Sequence, residues 1–306
     1  MGVLLRSVCF VGAIFGAILG GSVGVWASQT DEEIERVLAE VGTVAEAGPR
    51  EILLLDQARL DLSEGKYFVP QPTAGRFMQA FGNSEDPTLV GVIGPQDDSD
   101  WLVVINYESS GYIRDDDAKN WNVDELFQSL KDGTEATNAE RRSRGFPALE
   151  IVGWVEKPSY DPVSHHLVWS MEARHEGAPA DAETSVNYNT YALGREGFLS
   201  LNLITKTSLI ATEKDIAREL LSRLTFLPGK AYGDFDESTD RVAEYGLAAL
   251  VAGVAAKKLG FFAVIAAFAL KFSKVIVVAL GALGAAFFGS RKKKTGGSTE
   301  ASPKGE

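Results

Sequence analysis

The chain has 306 residues, 42 acidic against 30 basic side chains, a formal net charge of −12 and one cysteine. Divided along the chain, the charge is +1 over residues 1–27, −20 over 28–245 and +7 over 246–306. An acidic body between two apolar, cationic ends offers no basic footprint for nucleic acid. A body with ordinary aromatic and branched content and no cysteine is neither disordered nor a disulfide scaffold.

Residues 1–27 read as a secretory signal: Arg6 supplies the positive start, residues 8–25 are apolar or small, and Val25-Trp26-Ala27 has the A-x-A character of a cleavage site. The competing reading is an uncleaved N-terminal anchor. Cys9 sits at the start of the apolar stretch behind bulky Val8 rather than at its end, which argues against lipidation. Thr30 with Glu33 predicts a capping box opening a short helix to about Val41. Apolar or alternating runs predict strands at 52–55, 59–62, 67–69, 89–93 and 101–107. Thr73 is expected to cap a helix through Phe77, Met78 and Phe81 that stops at Gly82. Asn122 with Glu125 predicts another helix through Leu126, Phe127 and Leu130, followed by a separate polar helix over 135–144. Four strand-like runs come next, at 148–155, 164–174, 185–193 and 198–205, and the turn residues between them predict an antiparallel meander. Thr212 and Asp215 are expected to cap a helix carrying Ile216, Leu220, Leu221 and Leu224 on one face, ended by Thr225-Phe226-Leu227-Pro228-Gly229. Helices that interrupt runs of strands without alternating with them predict an α+β class, an antiparallel sheet covered by helices.

Residues 230–245 read as a juxtamembrane linker and 246–289 as a membrane anchor broken by lysines into three apolar runs. A bilayer span needs about 20 apolar residues, and no single run is that long. Lys257-Lys258 and Lys271/Lys274 bracket 259–270, and the 18 residues 257–274 together span about 27 Å at helical rise. Each lysine near the bilayer centre costs about 2.5–3.5 kcal/mol, less where it snorkels. A single C-terminal transmembrane helix then leaves the basic, disordered tail 290–306 in the cytoplasm and the domain 28–229 outside. A two-pass hairpin is the alternative. Lys257, Lys271 and Lys274 fall on one helical arc, so they form either a polar stripe in an oligomer or a set of snorkelling interface lysines; a homo-oligomer through the anchor is one expected partner state.

Several short motifs together carry a family resemblance: Gly111-Tyr112-Ile113-Arg114-Asp115, Asn138-x-x-x-Arg142, Gly153-Trp154-Val155, Pro158-x-Tyr160-Asp161, His166-Leu167-Val168-Trp169, Val186-Asn187-Tyr188-Asn189-Thr190, Leu193-Gly194-Arg195-x-Gly197 and Ala231-Tyr232-Gly233-Asp234-Phe235. With them the chain resembles the DUF2167 family of predicted membrane-anchored bacterial proteins, a resemblance that implies a place at a bacterial inner membrane and carries over no catalytic residues. Ser222-Arg223-Leu224-Thr225-Phe226 is also similar to the end of the PsbP/Mog1-like sandwich, a fold-level likeness only.

No catalytic motif is complete: there is no Gly-x-Ser-x-Gly elbow, no phosphate-binding loop and, once a signal is removed, no cysteine. No cofactor is expected. His166, Asp161 and Glu172 are candidate metal ligands; alternation sets His166 and Glu172 on one strand face and His165 with Trp169 and Met171 on the other. The clusters Asp97-Asp98-Ser99-Asp100 and Asp115-Asp116-Asp117 lack the calcium-loop pattern and suit solvated turns. Tyr112, Asp115, Trp154, Tyr160, Trp169, Tyr188 and Arg195 are the candidate interaction residues, the aromatics serving either a groove for a peptide or glycan or the core. The expected function is a membrane-anchored extracytoplasmic domain that binds another envelope protein or an envelope component. The competing functions are an envelope hydrolase using carboxylates or a metal, and an accessory subunit of a membrane transporter.

Overall fold

The structure is a computed structural model that describes residues 24–80, 83, 85–97, 99–143, 147–179 and 181–252. Eleven strands are described: β1 (Glu46–Ala47), β2 (Arg50–Leu54), β3 (Ala58–Leu62), β4 (Lys66–Pro70), β5 (Leu89–Pro95), β6 (Leu102–Glu108), β7 (Leu149–Asp161), β8 (His166–His175), β9 (Ser185–Leu193), β10 (Phe198–Lys206) and β11 (Leu224–Phe226). Eight pair antiparallel in the order β1-β4-β5-β6-β10-β9-β8-β7, and three form a second sheet, β11-β3-β2. The helices are α1 (Gly24–Val44), α2 (Thr73–Ala80), α3 (Val123–Ser143), α4 (Ile210–Ser222) and α5 (Ala248–Ala252). The class is therefore α+β, with a large antiparallel sheet and covering helices.

Both faces of the large sheet are covered, so β5, β9 and nearly all of β10 are buried at every position. On one face Val103, Ile105, Leu201 and Leu203 pack against Ile52, Leu60 and Leu62 of the small sheet and against Ala217 and Leu220 of α4. The alternation of β3, Ala58, Leu60 and Leu62 inward and Arg59 and Asp61 outward, is what a sheet with one wet face requires. On the other face two apolar clusters lie apart. Ile34, Val37 and Val41 of α1 and Phe77 and Met78 of α2 cover Val69, Val92 and Val104, while Leu126 and Leu130 of α3 and Leu247 and Leu250 cover Ile151, Leu167, Trp169 and Met171.

Between these clusters the sheet face is polar. Asn202 on β10 stands opposite Asn189 on β9, and Asn106 on β6 stands opposite Ser200. Asn106, Asn187, Asn189 and Asn202 are between 1% and 4% exposed. Among the described residues Asn106 Oδ1, both amide ends of Asn187 and Asn202, and Asn189 Oδ1 have no hydrogen-bond partner. A buried polar atom left unpaired costs about 1–3 kcal/mol.

Several boundaries differ from expectation. The 122–130 and 135–144 segments form one helix, α3, because nothing at Gly133 breaks the chain; the expected last position, Arg144, lies outside the described residues. Asn122 does cap it, accepting from the backbone N–H groups of Asp124 and Glu125 while its amide donates to Glu125. Helix α1 already includes Thr30, so the box does not open it. Helix α4 starts at Ile210 with Leu209 before it, and Thr212 instead donates back to the Leu209 carbonyl. Leu224, expected on that helix, begins strand β11. The meander β7 to β10 stands as predicted, with β7 running on to Asp161. Helix α2 ends at Ala80, and Phe81 and Gly82 lie outside the described residues. Among the described residues no helix is long and apolar enough to cross a membrane. The expected signal up to residue 23, the anchor from 253 onward and the tail 290–306 lie outside the described residues.

Candidate functional site

Three connections meet at one end of the large sheet: the segment after β6, the β7–β8 turn and the β9–β10 turn. The segment 230–245, expected as a linker, crosses all three. Ala231 bridges Gly194, Tyr112 pairs in parallel with Val242, and the Tyr112 N–H and C=O bond Arg241 O and Ala243 N at 2.8 Å each. Gly111 permits this approach. Its φ is +93°, and an added Cβ would stand 2.6 Å from Arg241 O. Arg195 Nε and Nη2 donate to the two carboxylate oxygens of Asp240 at 2.6 and 2.8 Å. That guanidinium, and then the Asp236 N–H, hold the Asp240 carboxyl well below the usual carboxylate range. Asp117 then accepts from the Leu247 and Ala248 N–H groups at 3.1 and 2.9 Å, tying down the start of α5.

Within this clamp the rings stack in a column. Tyr112 lies between Tyr232 at 4.4 Å and Phe235 at 3.8 Å, and His165 stacks on Tyr232 at 4.1 Å. Tyr232 is buried and donates to Ile113 O at 2.8 Å; burial first, then Tyr112 and Asp115, drive its phenol far above its ordinary value. Tyr160 Oη lies 2.8 Å from Asp115 Oδ2 and 3.0 Å from His165 Nδ1. The phenol has one proton, and an ionised carboxylate only accepts, so that proton goes to Asp115. His165 Nδ1 must then carry the proton it donates to Tyr160, so that of the two neutral tautomers only the one with Nε2 as acceptor fits this bond. Burial and then the Asp115 carboxylate raise the Tyr160 phenol far above its ordinary value, so it stays protonated. His165 reaches this position through a left-handed backbone, φ +57°, at the turn before β8.

The structure thus brings together Tyr112, Asp115 and Tyr160, with Arg195 at the edge of the clamp. Trp154 and Trp169 lie on the sheet face under α3, edge to face at 6.0 Å, with Phe127 5.3 Å from Trp154. Tyr188 faces the other side, where it donates to Glu156 Oε2 at 2.9 Å and accepts from Arg218 Nε at 2.8 Å. His166 pairs across β7–β8 with Asp161, but Glu172 pairs with Gly153 further along the strand and accepts from Thr184. Asp161 is engaged in its own turn, accepting from Val163 N and Ser164 Oγ. Burial lowers the His166 imidazole below its ordinary value. Among the described residues no group of three or more His, Cys, Asp or Glu side chains is placed to hold a metal ion. Asp117, read from the sequence as part of a solvated acidic turn, instead binds the start of α5; sequence reasoning did not single out Asp240 or the role of Tyr232 and Phe235, since their partners lie more than 40 residues away. The motif Ala231-Tyr232-Gly233-Asp234-Phe235 was the one available signal.

A family model described as "Protein of unknown function (DUF2167)" matches residues 46–281. Among solved structures, the solution structure of cyanobacterial PsbP (CyanoP) from Synechocystis sp. PCC 6803 is similar to this chain at 13% identity and a TM-score of 0.35, over 60% of this chain and 91% of that one. No curated protein matches the sequence.

Proposed function

The chain belongs to the DUF2167 family, and from that premise we propose that it is an extracytoplasmic domain, held at a bacterial inner membrane through 246–289, that binds a partner protein or envelope component. The observation that supports this most directly is the clamp. Residues 230–248, which lead toward the expected anchor, are tied to the body through Tyr112, Arg195 and Asp117 and do not form a loose linker. A module that must offer one surface at a set height above a bilayer needs that, whereas an enzyme for a diffusible substrate does not. The surface offered is the clamped end, where Tyr112, Tyr160, His165 and Phe235 are half-buried and Val163 at the tip of the β7–β8 turn is 88% exposed. A photo-cross-linking residue in place of Val163, in cells, is expected to give a discrete adduct that is absent when the same residue replaces exposed Thr212, near the start of α4. No adduct from 163, or the same adducts from both positions, refutes the reading.

One observation favours the competing hydrolase reading: the Asp115–Tyr160–His165 chain orients an imidazole with Nε2 as its basic end. A turnover assay on envelope glycans that loses all activity in His165→Gln would select it over the binding role.

A further inference from the structure

We infer that the tip of the β2–β3 hairpin rests in the surface of a lipid bilayer, an inference that builds on the reading of 246–289 as a membrane anchor. The hairpin turns through Leu55, Asp56 and Gln57, closed by the bond from the Gln57 N–H to the Leu54 C=O at 3.3 Å. Leu55 has φ +56°, in the left-handed region that such turns ordinarily give to Gly or Asn. A leucine there is strained by its own Cβ, and packing does not offset the strain. Leu55 is 50% exposed, and Leu53, two residues before it, is 63% exposed; they are the two exposed leucines among the described residues. Backbone strain kept together with exposed apolar surface points to a contact outside the body.

The body holds this tip from behind. Gln57 is buried; its Nε2 donates to Asp56 Oδ1 at 2.9 Å and to Glu196 Oε2 at 3.2 Å, and its C=O accepts from the Leu227 N–H at 2.9 Å. Lys230 Nζ lies 2.7 Å from Glu196 Oε2 and 3.7 Å from Asp56 Oδ2. The tip is thus joined to the β9–β10 turn and to Lys230, the first residue of the clamped segment. That segment is held as far as Ala248, the described chain ends at residue 252, and the apolar run 259–270 follows. The leucines and the start of the route to the expected anchor therefore share one end of the large sheet. The tip also has the chemistry of a lipid contact. Asp56 is balanced by Lys230, while Arg50 and Arg59 behind it pair with Glu46 and Glu51, so the hairpin brings little net charge to the surface. Residues 53–57 contain no Trp, Tyr or Arg, the side chains on which protein hot spots rely, whereas exposed leucines suit acyl chains.

The test places the full chain in vesicles of phosphatidylethanolamine and phosphatidylglycerol doped with a lipid that carries a diazirine on its acyl chain. After illumination, mass spectrometry locates the lipid adducts. They are expected on Leu53 or Leu55 and within 259–270, and not on 208–215, which follow the far end of β10. Leu55→Asn suits the left-handed turn, so it should leave Tm unchanged or higher while cutting the tip adduct about tenfold. Leu53→Thr keeps a strand-forming residue and is expected to cut it similarly. Adducts within 259–270 and none at the tip overturn the inference and leave the anchor standing; adducts in neither place overturn both. Tip adducts without adducts in 259–270 uphold the bilayer contact and reject that run as the span. An unchanged tip yield in both variants, a lower Tm in Leu55→Asn, or a photoreactive residue at position 53 that captures a protein and no lipid likewise overturns the inference.

Discussion

Replacing Gly111 by alanine tests the clamp directly. The residue has φ +93°, where an L side chain costs about 1–2 kcal/mol. The new Cβ would also stand 2.6 Å from the Arg241 carbonyl oxygen, which is backbone and cannot swing aside. Relief requires the strand of 241–243 to retreat, which breaks the Tyr112 N–H to Arg241 O and Ala243 N–H to Tyr112 O bonds. At about 1 kcal/mol net for each bond, the variant should lose about 3–4 kcal/mol locally. If the clamp unfolds with the body, this lowers Tm by roughly 6–16 °C for a domain of this size. Gly65→Ala is the control, because Gly65 has φ +83° but nothing within 4 Å of a Cβ, so it bears the backbone cost alone. Hydrogen exchange on the full chain reads the outcome: Gly111→Ala should expose the amides of 231–250 while β9 and β10 stay protected, and Gly65→Ala should not. Equal protection of 231–250 in both variants would show that the segment is not held through Tyr112.

Gly133 sits inside α3 with open space around it, so Gly133→Ala should raise stability by about 0.5–1 kcal/mol, measured by urea unfolding. Tyr160→Phe removes the hydroxyl shared by Asp115 and His165 and should cost about 1–2 kcal/mol in the same assay; nitrogen-15 NMR should show His165 losing its preference for the Nδ1–H tautomer. Glu40 accepts from Arg76 and Thr73, and these bonds hold its carboxyl at about 2 against an ordinary 4.5. Its folded value is lowered, so its contribution to the α1–α2 contact is complete above about pH 4.5 and is lost as pH falls through about 2. Glu40→Gln should flatten the acid limb of stability over that window, and an unchanged limb would remove Glu40 as its cause.

The parts of the fold that were legible are those where local chemistry decides. Asn122 and Glu125 cap α3 with bonds that span three residues, and the meander from β7 to β10 follows from apolar runs punctuated by turns. What misled was local as well: Gly133 and the polar stretch after it suggested two helices, although a glycine in an exposed helix costs only about 1 kcal/mol and the packing of Leu126 and Leu130 outweighs it. The clamp was out of reach because its bonds join residues far apart in the chain, Arg195 to Asp240 across 45 positions and Tyr112 to Arg241 across 129.

The run Val186-Asn187-Tyr188-Asn189-Thr190 shows the division most clearly. Its period of two establishes a strand and the partition of its side chains, since successive residues must point to opposite faces. An Asn-x-Asn face on such a strand would ordinarily meet water. Whether it does depends on what lies above the sheet, and that is set by how α1, α2, α3 and α5 pack from distant parts of the chain. Sequence by itself determined the α+β class, the meander, the family and the charge division into three regions. Only the tertiary structure decided that 230–245 is tied to the body and that four asparagines lie buried together, because burial and long-range hydrogen bonds are properties of packed elements and not of their local patterns.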